Sequence, residues 1–199
     1  MAIRLRCGEV GHRERFGLVL NARGLRGEAV ELGTFEGRFA ASFLQHWGGR
    51  LLTCVDPWRA GYDDRDPASS ADMEQALAAA RAVMAKFGER SRLLRMTGHE
   101  AAGLFPSGVL DFVYIDARHR EEDVRRDIAD WWPKLKSGGI LAGHDLVNPE
   151  DPGPRGEDLP HGWELHVQPA VFGFAEQEGL ELWVVSPMDE AWSWWFNKP

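Results

Sequence analysis

Short apolar runs alternate with longer segments of helical period along this chain. Apolar runs with the length of β-strands lie at 29–32, 51–56, 92–96, 110–116, 139–143, 180–185 and 191–196. Helical periodicity predicts helices at 37–47, 70–87, 99–104, 119–132 and 166–178. Because strands that alternate with helices pair in parallel through right-handed crossovers, the pattern predicts an α/β fold with a doubly wound sheet.

The end of the chain breaks this alternation. Only the segment SPMDE separates the last two predicted strands, which is enough for a hairpin and too short for a parallel crossover. One strand of this C-terminal hairpin is therefore expected to run antiparallel. Residues 1–27 form an N-terminal extension with a helix predicted at about 10–23. Residues 147–162, rich in Pro, Gly and acids, predict a long loop after the fifth strand.

The length and composition of the chain suit one domain. Its 199 residues are 44% hydrophobic, which is enough for a single core over residues 1–199. The formal net charge of -8 and the lack of a Lys and Arg cluster argue against a nucleic-acid partner. No apolar run has the roughly 18 residues of a membrane-spanning helix, and two cysteines are too few for a disulfide framework. We expect a soluble, cytoplasmic protein with no membrane partner.

The stretch VELGTFEGRFAASFL at 30–44 runs from the first strand of the alternation into a helix through a turn with two glycines. Gly33 can adopt conformations that a Cβ forbids, and Gly37 lets the helix begin close to the strand. The spacing Glu-x-Gly-x-x-x-Gly differs from the Gly-x-Gly-x-x-Gly of dinucleotide sites, because the carboxylate of Glu31 would repel a phosphate and attract a cationic group. Asp56 ends the next strand, where a carboxylate can accept hydrogen bonds from two ribose hydroxyls. One acid for an ammonium group and one for a ribose favour S-adenosylmethionine as the ligand. The alternative is that the glycines only form a turn.

Four stretches of the sequence carry a family resemblance. With VELGTFEGRFAASFL, CVDPW, LDFVYIDARHREEDVRRDIADWWPKLKSGGILAGHD and WSWWFNKP, the chain resembles the class I S-adenosylmethionine-dependent methyltransferases. Within them it looks most similar to the small bacterial macrocin and rhamnosyl O-methyltransferase-like group. The resemblance implies a Rossmann-like, seven-stranded sheet whose seventh strand is antiparallel. It also implies a set of cofactor-binding residues: Glu31 and Gly33 at the methionine part, Asp56 at the ribose, Thr97, Gly98 and His99 along the adenine, and in addition Thr34, Gly37 and Asp116.

The same resemblance implies a metal site in those relatives that use one. The corresponding positions here are Asp116 after the fourth strand and the adjacent His144 and Asp145 after the fifth, although such relatives commonly have an acid at the position of His144. Two carboxylates suit Mg²⁺ or Mn²⁺, and an imidazole ligand would favour Mn²⁺, Fe²⁺ or Zn²⁺. If His144 binds no metal, it is the best candidate for the general base, because imidazole titrates near neutrality. The two roles of His144 exclude each other.

Further residues have both a functional and a packing interpretation. His119 can face the methyl acceptor as a catalytic residue or help to open a helix. Asp116 can be catalytic or cap the same helix. Trp58 can cover the adenosine or pack in the core. The loop residues Tyr62, Asp63, Asp64, His161 and Trp163 are candidates for the acceptor pocket.

Two patterns favour ordinary structural roles. The charged residues of REEDVRRD, at 120–127, have the spacing of a solvated helix face with weak ion pairs. The tryptophans of DWWPKL and AWSWWF are expected to be core residues or contacts of a homodimer.

The leading hypothesis is methyl transfer from S-adenosylmethionine to a hydroxyl oxygen of a small molecule, such as a sugar or a natural product, with or without a divalent metal. A nicotinamide-dependent oxidoreductase is the first alternative, although its phosphate-binding turn would need a third glycine. A non-catalytic binding protein on the same fold is the second alternative.

Overall fold

In a computed structural model, residues 5–7, 10–62, 72–147, 166–185 and 192–199 are described. The strands in this part of the chain are β1 (Leu5–Cys7), β2 (Glu28–Leu32), β3 (Leu51–Asp56), β4 (Ser91–Arg95), β5 (Leu110–Ile115), β6 (Leu135–Gly143), β7 (Leu182–Val185) and β8 (Ser193–Asn197). The α-helices are α1 (Phe16–Ala22), α2 (Arg38–His46), α3 (Met73–Met84), α4 (Gly98–Ala102), α5 (Glu121–Trp131) and α6 (Val167–Glu178).

These strands form one sheet in the order β1-β7-β8-β6-β5-β2-β3-β4. β8 runs antiparallel to both β6 and β7, and the other pairs are parallel. The predicted α/β fold, the seven predicted strands and the antiparallel C-terminal hairpin are therefore confirmed. An eighth strand, β1, was not predicted, because a run of three residues has too few positions to show a periodicity. It extends the sheet by pairing with β7.

The N-terminal helix is shorter than the sequence predicts. A 3-10 turn at Arg13–Arg15 precedes α1, and the imidazole of His12 accepts a hydrogen bond from the N–H of Glu14 at its start. Most of the predicted loop at 147–162 and the hairpin turn lie outside the described residues.

Helices cover both faces of the sheet, as a doubly wound topology requires. Buried side chains of α4, α5 and α6 pack on one face and those of α1, α2 and α3 on the other. All six residues of β5 are buried, because this strand lies near the middle of the sheet. Trp131, Trp194 and Trp195 are also fully buried. Since these side chains are core residues, they give no support to a homodimer, which stays a prediction.

The fold places the ends of five parallel strands at one edge. β6, β5, β2, β3 and β4 are neighbours in that order, so the segments that follow them meet at the carboxyl edge of the sheet. In open α/β sheets this edge is where ligands bind. None of the helices in the described ranges is long and apolar enough to span a bilayer.

Candidate functional site

A cavity of about 700 Å³ opens at the carboxyl edge of the sheet. Six of the predicted cofactor residues line it, namely Gly33, Asp56, Thr97, Gly98, His99 and Asp116. The predicted catalytic and metal-binding residues His119, His144 and Asp145 line it as well. The other four predicted cofactor residues are not part of its lining: Glu31, Thr34, Gly37 and Trp58.

The turn after β2 is closed against the neighbouring strands. The N–H of Gly33 donates to the carbonyl of Val55 at 2.9 Å, and the N–H of Asp116 donates to the carbonyl of Leu32 at 2.9 Å. Gly33 has a φ of +83°, and a Cβ at this position would lie 1.8 Å from the carbonyl oxygen of Asp116. Only glycine therefore fits between β2 and the segment after β5. Gly37 also has a positive φ, of 81°, and begins α2.

Glu31 lies beneath this turn. Its carboxyl is buried and accepts a hydrogen bond of 2.8 Å from the hydroxyl of Thr34. Burial raises the pKa of Glu31 to about 8, the bond from Thr34 opposes the increase, and the negative charges of Asp116 and Asp56 add to it. The sequence predicted an exposed negative charge, whereas the structure has a buried and largely neutral acid at pH 7. Its contact with the cofactor stays a prediction.

Asp56 organises the loop after β3. Its two carboxylate oxygens accept hydrogen bonds from the N–H groups of Phe35, at 2.9 Å, and of Trp58, at 2.7 Å. Burial raises the pKa of Asp56, while these two bonds lower it. Phe35 and Trp58 both have a positive φ, of 49° and 39°, which is uncommon for residues with a side chain. The carboxylate thus holds two strained residues in place, and one of them, Phe35, lines the cavity.

Trp58 was predicted either to cover the adenosine or to pack in the core, and the structure supports packing. Its indole is fully buried among the α3 side chains Ala76, Leu77 and Ala80, and its Nε1 donates to the carbonyl of Phe35 at 2.8 Å. The side chain does not reach the cavity, so it cannot cover an adenosine there without leaving the core.

The segment after β4 presents backbone to the cavity. Thr97 and Glu100 form a reciprocal capping box at the start of α4. Gly98 follows the cap and has no side chain to fill the space beside it. His99 contacts the carboxylate of Asp130 at 2.7 Å.

Charged side chains converge after β5 and β6. Ligand atoms of Asp116, His144 and Asp145 lie within 4.8 Å of one another. The Nδ1 of His144 is 3.1 Å from Asp145 and 3.9 Å from Asp116. The Nε2 of His119 is 3.1 Å from the other oxygen of Asp145. We call these four residues the charged cluster. Its backbone is strained at Asp145, where φ is 52°.

The capping interpretation of Asp116 is wrong. The residue before α5 is Arg120, and no side chain caps the helix there. His119 does not begin the helix either, and its imidazole faces the cluster. Both residues therefore belong to the cavity, as their catalytic interpretation requires.

The charges of the cluster stabilise one another. Burial opposes ionisation of Asp145, but the charge of His144 and the close contact with the imidazole of His119 hold the pKa of Asp145 well below its usual range. Burial likewise opposes protonation of His119, but the nearby carboxylates of Asp116 and Asp145 raise its pKa to about 10. The pKa of His144 is raised despite burial, chiefly by the charge of Asp145. The carboxylates at this end of the cavity therefore favour the protonated forms of the neighbouring imidazoles.

Sequence reasoning missed Arg13. A guanidinium nitrogen of Arg13 lies 3.4 Å from Asp116, a contact that joins the 3-10 turn of the N-terminal extension to the end of β5. Arg13 also lines the cavity. No local pattern marks it, because its partner is 103 positions away in the sequence.

The prediction of a solvated face at 120–127 is wrong for two of its acids. Asp123 is 5% exposed and Asp127 is 8% exposed, and both line the cavity. They lie on the stripe of α5 that also carries the buried Val124, Ile128 and Trp131. This phase relation was visible in the sequence and could have identified the two acids as inward-facing.

Tyr62 lines the cavity, as predicted for an acceptor-pocket residue, with the guanidinium groups of Arg59 and Arg118 4.9 Å and 5.2 Å from the centre of its ring. The other predicted pocket residues lie outside the described part of the chain: Asp63, Asp64, His161 and Trp163.

Comparisons with known proteins agree with this geometry. The family model described as "Methyltransferase domain" matches residues 30–146, more than half of the chain. The uncharacterized protein y4gI of Sinorhizobium fredii is 32% identical over 120 residues, which are 58% of this chain but only 13% of that protein. The chain thus spans about one-eighth of the length of this curated relative.

Two solved structures show the same fold at low sequence identity. An O-methyltransferase family protein from Burkholderia thailandensis has a TM-score of 0.67 at 17% identity, over 94% of this chain and 54% of the other. The O-methyltransferase from Bacillus cereus, solved in complex with S-adenosylhomocysteine, has a TM-score of 0.64 at 13% identity, over 94% of this chain and 80% of the other. By its family match, the chain belongs to the methyltransferase-domain family, and it has the fold of the class I S-adenosylmethionine-dependent methyltransferases.

Proposed function

We propose that this chain transfers the methyl group of S-adenosylmethionine to a hydroxyl oxygen of a small molecule, with the help of a divalent cation. The proposal rests on one observation, that the cavity has Asp56 at one end and the charged cluster at the other. Asp56 stands at the end of β3, where a carboxylate can bind ribose hydroxyls, and the charged cluster stands after β5 and β6. The resemblance to the macrocin and rhamnosyl O-methyltransferase-like group supports a sugar or natural-product hydroxyl as the acceptor.

Methyl transfer makes limited demands on a protein. The methyl group on a sulfonium is already electrophilic, so the site has to align the acceptor oxygen with the sulfur–carbon bond and remove its proton. A cavity with a nucleoside-binding acid at one end and bases at the other end can do both.

The residues of the cluster fit a divalent cation. Asp116 and Asp145 offer two hard carboxylate oxygens, and His144 offers an imidazole, a donor set that suits Mn²⁺ as well as Mg²⁺. The buried Nε2 of His144 has no hydrogen-bond partner among the described residues. A cation held there would lower the pKa of the acceptor hydroxyl and fix the position of its oxygen.

The roles of the two imidazoles follow from this assignment. If His144 is a ligand, it is not the base, and His119 is the remaining imidazole. A cation on Asp116 and Asp145 would offset the carboxylate charges that raise the pKa of His119, and its ring could then accept the hydroxyl proton. Its contact with Asp145, at 3.1 Å, fixes the ring beside the cluster. Without a cation, His144 is the alternative base.

Calorimetric titration tests this function directly. S-adenosylmethionine and S-adenosylhomocysteine are titrated into chelator-treated protein, and Mg²⁺ or Mn²⁺ is added afterwards. We expect binding of both cofactors and a metal-binding heat that disappears in Asp116→Asn. The matched control is Glu122→Gln, because Glu122 is an exposed acid on α5. Methyl transfer is then assayed with a panel of hydroxylated sugars and phenols.

The outcomes separate the parts of the proposal. If neither cofactor binds, the methyltransferase function is wrong for this chain. If a cofactor binds but no metal heat appears, only the cation is excluded and His144 becomes the base. Methylation of nitrogen acceptors alone would exclude the hydroxyl as the acceptor group.

A further inference from the structure

Arg13 is a permanently charged residue of the cavity that the proposed chemistry does not use. It belongs to the N-terminal extension, lines the cavity, and has a side chain that is 24% exposed. One of its guanidinium nitrogens lies 3.4 Å from Oδ2 of Asp116. The other oxygen of that carboxylate, Oδ1, lies 3.9 Å from Nε2 of His119 and 3.9 Å from Nδ1 of His144. The two oxygens of Asp116 therefore face different partners, the guanidinium on one side and the imidazoles on the other.

The packing of α1 fixes the position of Arg13. The 3-10 turn that contains Arg13 leads directly into α1, and Phe16, the first residue of this helix, is fully buried. The ring centre of Phe16 is 5.4 Å from that of Phe112 and 6.0 Å from that of Tyr114, and both partners belong to β5. The turn is thus anchored on β5, and the guanidinium reaches the end of this strand from a backbone that packing holds in place.

The charges at this end of the cavity indicate which acceptor suits it, on the basis of the function proposed above. The negative charges of Asp116 and Asp145 are balanced once a divalent cation binds them. The guanidinium of Arg13 then adds positive charge, and so does the sulfonium of the methyl donor. Even with both imidazoles neutral, positive charge is in excess, and a neutral alcohol does not compensate it. An acceptor with an anionic group does.

A guanidinium is well suited to bind such a group. Its planar fork can donate two parallel hydrogen bonds to a carboxylate or a phosphate, and these charge-assisted bonds are stronger than bonds to a neutral hydroxyl. Arg13 contacts Asp116, one of the proposed ligands of the cation that would fix the acceptor oxygen. An anionic group held by Arg13 would therefore lie on the same side of the acceptor as its reacting hydroxyl.

We infer that Arg13 binds an anionic group of the methyl acceptor, so that the substrate is a hydroxylated carboxylate or phosphate rather than a neutral alcohol. The competing explanation is structural. Arg13 could serve only to position the carboxylate of Asp116, and its removal would then affect charged and neutral acceptors alike.

The test compares acceptors with and without an anionic group. The pairs are dihydroxybenzoate with its amide, glucuronate with glucuronamide, and glucose phosphate with glucose. Each compound is titrated calorimetrically into the wild type, Arg13→Met and Arg13→Lys in the presence of S-adenosylhomocysteine and Mg²⁺. Arg15→Met is the matched control, because Arg15 belongs to the same turn but is exposed and is not part of the cavity lining. Thermal unfolding of each variant shows whether it is folded, and the comparison within the wild type depends on no variant.

In the wild type, the anionic member of at least one pair should bind about 10- to 100-fold more tightly than its neutral counterpart, the range expected for hydrogen bonds to a charged group. Arg13→Met should reduce this preference to less than about threefold by weakening the anionic member alone. The affinity for S-adenosylhomocysteine should not change. Arg13→Lys should retain part of the preference, since its ammonium keeps the charge but not the planar fork. Arg15→Met should match the wild type.

The pairs also separate the two sources of the charge. A preference confined to dihydroxybenzoate and glucuronate identifies the anionic group as a carboxylate. A preference confined to glucose phosphate identifies it as a phosphate. Both outcomes support a role of Arg13 in recognition if Arg13→Met removes the preference.

Three results overturn the inference. A wild type that binds no anionic member more tightly than its neutral counterpart excludes recognition of the charge. Arg13→Met that keeps the preference assigns the recognition to another group, such as the cation. Arg13→Met that weakens both members of a pair by the same factor assigns Arg13 a structural role at Asp116. In these cases S-adenosylhomocysteine still binds the wild type, so the proposed function survives. If S-adenosylhomocysteine does not bind the wild type, the proposed function and this inference are both wrong.

Discussion

The two ends of the cavity hold acids in opposite electrostatic states. In the charged cluster, Asp145 is paired with two imidazoles, and its pKa lies well below the usual range. At the end formed by β3, β4 and α5, Asp56 is partly buried and Asp127 is buried, neither is paired with an imidazole, and burial raises the pKa values of both. The difference shows how one residue type can serve two tasks. Opposite charges favour ionisation of the acid in the cluster, whereas burial disfavours the charged form of the acids at the other end.

The largest effect that separates the two ends should come from the charged cluster. Asp145→Asn removes the charge that pairs with His119 and His144, and methyl transfer should fall by about 10²- to 10⁴-fold because proton removal is impaired. The affinity for S-adenosylhomocysteine should change by less than about threefold, since Asp145 is remote from Asp56 in the sheet order. Steady-state kinetics and calorimetry measure the two quantities. A large loss of affinity for S-adenosylhomocysteine in Asp145→Asn would show that the charged cluster also contributes to cofactor binding.

Gly33 joins the two ends, and its substitution should disturb both. Gly33→Ala places a Cβ against the carbonyl of Asp116 at a positive φ, and unfolding free energy should fall by on the order of 3 kcal/mol. Gly24→Ala is the matched control, because Gly24 has a φ of +73° with no atom within 4 Å of the added Cβ. That variant should lose only about 1 kcal/mol through backbone strain. Urea unfolding measures the two free energies. Equal losses in the two variants would show that the contact of the Cβ with the carbonyl of Asp116 does not destabilise the fold.

The fold was predictable where patterns are long. Each of the seven predicted strands has several consecutive apolar residues, and their alternation with helices indicates parallel pairing. The acids at strand ends were predictable for the same reason, because parallel strands bring their carboxyl ends to one edge. Asp56 was placed at the cavity by this pattern, whereas Asp116 and Asp145 were identified through the family resemblance.

The remaining features depend on distant contacts. Arg13 reaches Asp116 across 103 positions, and no period in the sequence connects them. The burial of Glu31 and Trp58 depends on the geometry of the loops after β2 and β3. These loops have positive φ values at Phe35 and Trp58, which no sequence rule would assign to aromatic residues. Asp127 shows a third limit. Its neighbours in REEDVRRD suggested solvent, and only its phase with the apolar stripe of α5 indicated the cavity.

Asp56 should have a smaller effect that is confined to the nucleoside end. Asp56→Asn replaces one charged acceptor oxygen by an amide NH₂, and the affinity for S-adenosylhomocysteine should fall by about 10-fold or somewhat more, the value of one or two hydrogen bonds to a carboxylate. The turnover of bound substrate should stay within about threefold of the wild type. Calorimetry and kinetics at saturating cofactor measure the two, with circular dichroism to confirm the fold. Unchanged affinity would show that Asp56 does not bind the ribose.

The last prediction concerns the pH dependence of stability and Glu31, whose carboxyl lies between the two ends and feels the charges of both Asp116 and Asp56. Its pKa is about 8 in the folded chain and 4.5 for an unperturbed Glu. Between these two pH values the folded state therefore holds a proton that the unfolded state has lost. The stabilising contribution is complete below about pH 4.5 and is lost as the pH rises to about 8, at no more than about 1.4 kcal/mol per pH unit. Glu31→Gln is neutral at every pH and should remove this part of the pH dependence.

Urea unfolding of both proteins between pH 5 and pH 9 measures the difference. The two curves should diverge below about pH 8 and run parallel above it. Parallel curves throughout would mean that Glu31 is ionised in the folded chain, in which case a negative charge stands between the two ends and their electrostatic separation is lost.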